Sequence, residues 1–108
     1  MAARITANIC EKFQSAADLL GKRWTALIVQ SLGAGAMRYS QLVDRLDVVS
    51  ERMLTERLKE LEARGVVDRR VLTGQPVRVE YALTEKGRAL SRVISGLERW
   101  ADQWIETR

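Results

Sequence analysis

The spacing of apolar residues divides this chain into helical and extended segments. Apolar residues recur every three or four positions in four early segments, which are 10–20, 22–33, 39–46 and 50–64. Apolar and charged residues then alternate over 66–72 and 77–83, and this alternation predicts two strands joined by the turn 73-TGQP-76. Helical spacing returns over 84–106, with Thr84 placed as the N-cap. The pattern therefore predicts a single domain over 1–108, mainly α with one small antiparallel β-hairpin (α+β).

The segment 50–64 is predicted to bury one face and expose the other. Leu54, Leu58 and Leu61 lie at i, i+4 and i+7, Ser50 is placed as the N-cap, and Gly65 follows as the C-terminal stop. The opposite face carries Arg52, Thr55, Glu56, Lys59 and Ala63. A helix anchored by a single apolar row can enter the major groove of B-DNA, which is about 12 Å wide.

The order of elements is that of a winged helix-turn-helix domain. Four stretches in this order resemble the HxlR family of bacterial winged helix transcription regulators: LLGKRWTALIVQSL at 19–32, RYSQL at 38–42, SERMLTERLKELEARGVV at 50–67 and PVRVEYALTEKG at 76–87. The resemblance extends from Cys10 to about Trp104. It implies that 38–42 opens the supporting helix, that 50–64 is the recognition helix and that 73–78 is the wing. It also implies that the first and last helices form a dimer interface.

The candidate DNA-binding residues lie on the recognition helix, at the start of the supporting helix and on the wing. They are Arg38, Ser50, Arg52, Thr55, Glu56, Lys59, Gln75 and Arg78. Arginine suits guanine edges, threonine a thymine methyl and lysine a phosphate, whereas Glu56 would be repelled by phosphates unless it accepts from a cytosine amine. Arg38 would hold a phosphate together with the first amides of its helix. The alternative is a charged helix face that is only solvated.

Two cations and three aromatic residues stand outside the main set of candidates. Lys22 and Arg23 open the second predicted helix and are further phosphate candidates, although Arg23 would equally well cover Trp24. Trp24, Tyr39 and Tyr81 are expected in the core, without a binding role.

The composition excludes several kinds of site. Lys and Arg number 18 against 14 Asp and Glu, so the formal charge is +4 and the calculated pI is about 9.7, which favours polyanionic partners. Histidine is absent and cysteine occurs once, which excludes serine–histidine and cysteine–histidine catalysis, a Cys/His zinc site and an internal disulfide. We therefore expect that the protein is not an enzyme and that it binds neither a metal ion nor a cofactor.

The chain also lacks the apolar segments that membrane proteins and secreted proteins carry. No apolar run approaches the ~20 residues needed to span a bilayer, and the start MAARITANIC has no apolar signal region. We expect a cytoplasmic protein with no membrane partner.

Cys10 is a candidate redox-sensing residue. A subset of HxlR-like regulators carries a thiol sensor for electrophiles or oxidants just before the first helix, and 10-CEKF-13 precedes 19-LLGKRW-24 here at similar spacing. The first amides of a helix and Lys12 would favour the reactive thiolate, whereas Glu11, at a position where the family commonly has proline, opposes it. The reaction would be an adduct with a small electrophile or a disulfide with Cys10 of a second copy. The alternative is a small packed residue at the dimer interface.

The last predicted helix carries a wider apolar stripe than one side of a small domain needs. The predicted dimer interface comprises Phe13, Leu90, Ile94, Leu97, Trp100, Ala101 and Trp104. These features predict a homodimeric repressor on a palindromic double-stranded operator, with half-sites about one helical turn apart. The alternative is a winged helix protein–protein interaction module that does not bind DNA. A related family of winged helix regulators, MarR, would predict longer flanking helices.

Overall fold

The computed structural model describes residues 2–107, with side chains over 10–107, as helices packed around a three-stranded antiparallel sheet. The elements in chain order are α1 (Ala2–Gly21), α2 (Thr25–Leu32), β1 (Met37–Arg38), α3 (Tyr39–Arg45), α4 (Glu51–Ala63), β2 (Val67–Leu72), β3 (Arg78–Leu83) and α5 (Glu85–Trp104). The strand order is β1-β3-β2. This architecture confirms the predicted fold class.

Two helices begin elsewhere than predicted. α1 begins at Ala2, well before the predicted start near Cys10, and Ile5 and Ile9 continue toward the N-terminus the four-residue spacing that Phe13 begins. α2 begins at Thr25 instead of residue 22, because the preceding residues form a turn. Trp24 lies in the left-handed region of that turn, with a φ of 77°.

The strand β1 is absent from the sequence-based prediction. It consists of two residues, too few to show alternation, and it pairs antiparallel with β3 through Met37↔Tyr81 and Arg38↔Glu80. Only pairing with a distant strand makes this segment extended. The hairpin itself was predicted, and β2 pairs with β3 from Val67↔Leu83 to Leu72↔Arg78.

One hydrophobic core joins the helices to the sheet. Ile28 and Val29 of α2 are fully buried, and the predicted leucine row of α4 packs against the same cluster. Leu54, Leu58 and Leu61 are each at most 1% exposed, so the opposite face of α4 points outward.

The junction between α4 and the wing is fixed by hydrogen bonds. Gly65 takes a φ of 72°, and the amides of Gly65 and Val66 donate to the carbonyls of Glu62 (3.0 Å) and Leu61 (2.9 Å). This is a Schellman ending, which favours glycine because a side chain is strained at that φ. Thr84 lies across the junction, and its amide donates to the carbonyl of Val66 at 3.1 Å. The junction sets the wing at a fixed position beside α4.

Among residues 2–107, none of the helices combines the length and the apolar character needed to cross a bilayer.

Candidate nucleic-acid interface

The exposed face of α4 is presented by a well-formed helix start. Ser50 Oγ accepts from the amide of Met53 at 3.1 Å, as predicted for the N-cap. The Arg52 side chain is 90% exposed and lies 3.7 Å from Glu56 one turn later. An exposed pair of this kind contributes little to stability, so Arg52 can exchange Glu56 for a ligand at small cost. The pair also places the Glu56 carboxylate beside the positive charge of Arg52.

Thr55 is less available than the sequence suggests. It is half-buried, and its Oγ1 lies 3.1 Å from the hydroxyl of Tyr39, with either atom able to donate. The same hydroxyl is within 3.5 Å of the carbonyl oxygen of Glu51. Tyr39, which was expected only in the core, therefore joins the supporting helix α3 to the recognition helix.

A cleft of about 500 Å³ separates α4 from the wing. Lys59 of α4 and Arg69 of β2 line it together with Tyr39, Thr55 and one carboxylate, Glu62. Arg69 was not identified from the sequence. Arg69 lies on the same face of β2 as Val67 and pairs with Tyr81 of β3. Val67 is buried in the core, whereas Arg69, two residues later, is exposed and lines the cleft. An arginine in an otherwise apolar strand face was the signal that could have identified it.

A second cleft, of about 450 Å³, adjoins the first and brings together two arginines predicted from separate parts of the chain. Arg38 and Arg78 both line it, and Tyr39 and Val79 line both clefts. Arg38 precedes a helix of seven residues, and its own amide donates to Gln41 Oε1 at 2.8 Å. The positively charged side chains of Arg38 and of Arg78 on the wing therefore line the same cleft.

The wing tip has an apolar surface. Gln75 and Arg78 are exposed as predicted, but the loop 73–77 carries no charge, and Val71 and Val77 beside it are 53% and 64% exposed. The basic residues of the wing therefore lie behind its tip.

Lys22 and Arg23 contact the protein itself. Lys22 Nζ lies 2.7 Å from Glu60 Oε2 of α4, and the Arg23 guanidinium covers the ring of Trp24 at 4.6 Å from its centroid. Arg57 completes the contact, since its Nε donates to the carbonyl of Arg23 at 2.8 Å and its Nη1 lies 3.1 Å from Glu60 Oε1. We call Lys22, Arg57 and Glu60 with the Arg23 carbonyl the polar clasp. It ties the α1–α2 turn to the recognition helix.

The clasp also affects the ionisation of Glu60. The hydrogen bond from Lys22, with the charges of Lys22 and Arg57, holds the pKa of Glu60 below its ordinary value of 4.5 against a smaller opposing effect of burial. Glu60 is therefore ionised in the neutral pH range and attracts both cations.

The position of Cys10 corrects one sequence-based argument. Cys10 is exposed, but it lies inside α1 with helix on both sides and not at the helix N-terminus. The first-turn amides are therefore too far along the chain to act on its thiol. Lys12 and Glu11 remain its charged neighbours in sequence.

The stripe on α5 is exposed over most of its predicted members. Leu97, Trp100 and Trp104 are 52%, 54% and 65% exposed, and Phe13 on α1 is 71% exposed. Leu90 and Ala101 are half-buried. Ile94 departs from the prediction, because it is 5% exposed and packs into the core. It anchors α5 from beneath and is not part of the exposed stripe.

No group of histidine, cysteine or carboxylate side chains suited to a metal ion occurs within the described residues.

The arrangement of an outward recognition helix, a supporting helix and a wing agrees with comparisons to known proteins. A model of the HxlR-like helix-turn-helix family matches residues 19–108. The chain belongs to the HxlR family of transcription regulators.

Two relatives of this HxlR protein occur in Bacillus subtilis (strain 168). They are the uncharacterized HTH-type transcriptional regulator YvaP and the HTH-type transcriptional regulator YodB. YvaP is 48% identical over 99 residues, covering 92% of each chain. YodB is 47% identical over 99 residues, covering 92% of this chain and 88% of YodB.

Solved structures extend the likeness of this HxlR protein to three dimensions. Reduced YodB from B. subtilis superposes with a TM-score of 0.80 at 47% identity, covering 90% of this chain and 95% of the other. Diamide-treated YodB has a TM-score of 0.76 at 47% identity and covers 91% and 97%. Quinone-bound YodB has a TM-score of 0.77 at 45% identity and covers 88% and 99%.

Proposed function

We propose that this HxlR-family protein is a homodimeric repressor that binds a palindromic operator and releases it when Cys10 is modified. The observation that carries the DNA-binding part is the outward face of α4. Its leucine row is buried, so Arg52 and Lys59 face outward beside the clefts lined by Arg69, Arg38 and Arg78. Cations gathered along a helix and a wing suit the phosphates on either side of a major groove.

A division of labour among these side chains follows from their exposure. Arg52 and Glu56 would read base edges, since both side chains are at least half exposed and are paired only weakly. Lys59, Arg69, Arg38 and Arg78 would contact phosphates along the two clefts. Ser50 is exposed at the start of α4 and Gln75 on the wing, and each can donate a hydrogen bond to a phosphate of the DNA backbone. Thr55 would act through its bond to Tyr39, as a support for α4.

The test is operator binding by purified variants. An operator is first selected from random duplex DNA, and affinities are then measured by fluorescence anisotropy at several salt concentrations. We expect Lys59→Ala to weaken binding to all sequences and to reduce the salt dependence by about one counterion, whereas Arg52→Ala weakens binding by roughly five- to hundredfold and relaxes the preference at one base pair. Arg92→Ala, on the exposed surface of α5, is the matched control. Unchanged operator affinity in both α4 variants would place the DNA contact elsewhere on the chain, and a failure of the unmodified protein to select any operator would leave a module that binds only proteins.

Dimerisation is proposed from the stripe on α5. Trp100 and Trp104 are more exposed than large aromatic side chains usually are on a monomer, and Phe13 adds apolar surface on α1. A twofold interface over Leu97, Trp100 and Trp104, rimmed by Leu90 and Ala101, would place two copies of α4 toward one duplex. A dimer seated on a promoter excludes polymerase, which is the basis for proposing repression. The protein would act in the cytoplasm, where bacterial DNA lies.

The proposed response to oxidants rests on the exposure of Cys10 and on the solved structures of the related protein YodB. Cys10 is exposed, and structures of YodB have been solved in diamide-treated and quinone-bound forms. The thiolate of Cys10 could add to a quinone, or two Cys10 thiols of a dimer could form a disulfide as diamide is reduced to its hydrazine. Either change would act on α1, and the turn that follows α1 is joined to α4 through the polar clasp.

This response is tested with the operator complex. We expect diamide or a quinone to release DNA from the unmodified protein and to leave Cys10→Ser bound. Mass spectrometry identifies the product without ambiguity, because Cys10 is the chain's sole cysteine. Equal release from the serine variant would contradict the redox proposal and leave the DNA-binding proposal intact.

A further inference from the structure

Two exposed valines lie at the tip of the wing, and we call them the tip valines. They are Val71, near the end of β2, and Val77, just before β3, with exposed fractions of 53% and 64%. Val71 pairs with Val79, which lines both clefts of the nucleic-acid interface. Val77 lines the second cleft. The tip valines therefore adjoin the clefts and extend their apolar surface toward the end of the wing.

The two faces of the wing hairpin differ in charge. Side chains of a strand alternate between faces, so Arg69 shares a face with Val71 and Val79. Within β2 and β3, this face has no carboxylate. A contact of 3.7 Å joins Arg70 and Glu80 on the opposite face. The pairs of that opposite face are Asp68↔Ala82, Arg70↔Glu80 and Leu72↔Arg78. The face of Val71 is therefore the one suited to a polyanion.

The first cleft places cations beside this apolar face. Arg69 and Val79 line it together with Lys59 of α4. Its one carboxylate, Glu62, also comes from α4 and not from the wing. Cations and hydrocarbon thus follow one another along a single surface. A DNA strand has the complementary order, because charged phosphates alternate with deoxyribose rings whose carbon atoms can pack on apolar side chains.

The spacing along β2 fits such a strand. Arg69 and Val71 are two residues apart, which is about 7 Å in an extended strand. Successive phosphates of a DNA strand are separated by a similar distance. A phosphate bound by Arg69 therefore leaves the adjoining sugar within reach of Val71.

We propose that the tip valines pack against deoxyribose rings of the DNA strand whose phosphates contact Lys59 and Arg69. The wing then holds DNA by apolar contact at its tip and by charge behind the tip. Sugar contacts carry no sequence information, so the tip valines add affinity for any duplex and no preference for the operator. The inference rests on the proposed function, because it assigns a further contact within the same DNA interface.

DNA binding by a variant with both valines truncated tests the proposal. Val71→Ala with Val77→Ala removes apolar carbon atoms and no charge. We expect the affinities for the selected operator and for a duplex of scrambled sequence to fall by the same factor, roughly five- to thirtyfold, because about half of each valine surface remains to be covered. The factor should be the same at every salt concentration, since no phosphate contact is lost.

Arg69→Met provides the contrasting variant. It keeps an apolar stem and removes the charge, and we expect it to reduce the salt dependence of binding by about one counterion. A reduced salt dependence in the double valine variant would mean that the truncation acts through the cations, and the sugar contact would be wrong.

Two further variants control for the structure of the wing. Leu72→Ala truncates an apolar side chain of the same strand on the opposite face, and Val77→Ile keeps the apolar character of the tip. Both should retain the operator affinity of the unmodified protein. An equal loss of affinity in Leu72→Ala would assign the effect to the stability of the hairpin and would rule out the contact.

Hydroxyl-radical footprinting at saturating protein concentration locates the contact on the DNA. These radicals attack exposed deoxyribose, so a sugar that the protein covers is protected from cleavage. We expect the unmodified protein to protect sugars beside each half-site, and the double valine variant to lose protection at those sugars alone. Identical protection by the two proteins would contradict the proposal.

The outcomes separate this inference from the proposed function. If the unmodified protein binds the operator and the double valine variant binds equally well, only the tip contact is refuted. A failure of the unmodified protein to bind any duplex refutes the proposed function and this inference with it. If sedimentation shows that the double variant no longer dimerises, a second copy of the chain covers the tip valines and the contact with DNA is wrong.

Discussion

Arginine side chains in this protein take different roles according to what surrounds them. Arg52 projects into solvent beside Glu56, whereas the Arg57 side chain is 15% exposed and holds α4 to the carbonyl of Arg23. The Arg23 guanidinium covers the ring of Trp24. The residue type therefore does not identify a DNA contact; exposure and the lack of a strong internal partner do.

Glycines in α5 show the same dependence on surroundings and give a prediction at this scale. A methyl group on Gly87 would clash with the carbonyl oxygen of Val66, whereas one on Gly96 would meet the end of the flexible Arg99 side chain at 3.7 Å. We expect Gly87→Ala to lower the free energy of unfolding by about 1–3 kcal/mol through overpacking. Gly96→Ala, in the same helix, should raise it by up to about 1 kcal/mol through helix propensity.

Urea unfolding followed by circular dichroism measures both glycine variants. Similar effects in the two proteins would mean that helix propensity, and not contact with the Val66 carbonyl at the junction of α4 and β2, decides the tolerance for alanine.

The recognition helix is held on both flanks by elements far away in sequence. Tyr39 of α3 bonds Thr55, while the polar clasp and the Arg64–Ser15 bond join α4 to α1 and the turn after it. The element is thus positioned by side-chain contacts as well as by its leucine row. A displacement of α1 cannot leave α4 unaffected while these contacts persist.

The clasp predicts a dependence of stability on pH. The pKa of Glu60 is lowered in the folded protein, so its stabilisation is complete above its ordinary value of 4.5 and is lost as the pH falls through the folded pKa. At neutral pH we expect Glu60→Gln to be less stable by roughly 0.5–1 kcal/mol, a modest value because Glu60 and Lys22 are partly exposed. The difference should shrink progressively in acid.

Thermal unfolding from neutral pH down to below pH 4 would check the prediction for Glu60. Glu98→Gln is the matched control, since Glu98 is an exposed carboxylate on α5 that forms none of the ion pairs found over residues 10–107. A stability gap for Glu60→Gln that stays constant with pH would contradict the role assigned to its charge.

At the scale of the whole molecule, the cations beside α4 and the exposed aromatic residues lie on different elements. The cations line two adjoining clefts between α4, α3 and the wing, whereas Trp100, Trp104 and Phe13 lie on α5 and α1. The formal charge of +4 says only that anions are favoured. Because cations lie together in the clefts, this excess of positive charge can act on the phosphates of a DNA duplex.

The exposed stripe gives a prediction about assembly. Trp104→Glu should weaken dimerisation by at least about tenfold, because a C2 interface would bring two buried carboxylates together or leave each without a partner. Sedimentation over a range of concentrations measures this, and operator affinity should fall in parallel while the circular dichroism spectrum is retained. Arg92→Glu introduces the same side chain elsewhere on α5. An unchanged dimer in Trp104→Glu would remove this stripe from the interface.

Much of the architecture was accessible from local sequence. The leucine row of α4, its Ser50 and Gly65 ends and the hairpin all follow from spacing and capping preferences that act over a few residues, and the structure agrees with each. The early start of α1 was missed although Ile5 and Ile9 stand at helical spacing from Phe13, because the polar residues beside them are typical of the chain before a helix. The outward direction of Arg52 and Lys59 is the part of the candidate site that periodicity determined.

The remaining features depend on packing between segments that are distant along the chain. Only the folded protein brings Arg38 beside Arg78, opens the strand face of Arg69 toward Lys59, and makes β1 a strand by pairing it with β3. Packing also buries Ile94 while leaving Leu97 exposed on the same helix, although both follow the same spacing. Periodicity determines which side of an element is apolar, but the neighbours that meet that side are chosen by tertiary contacts that no local pattern records.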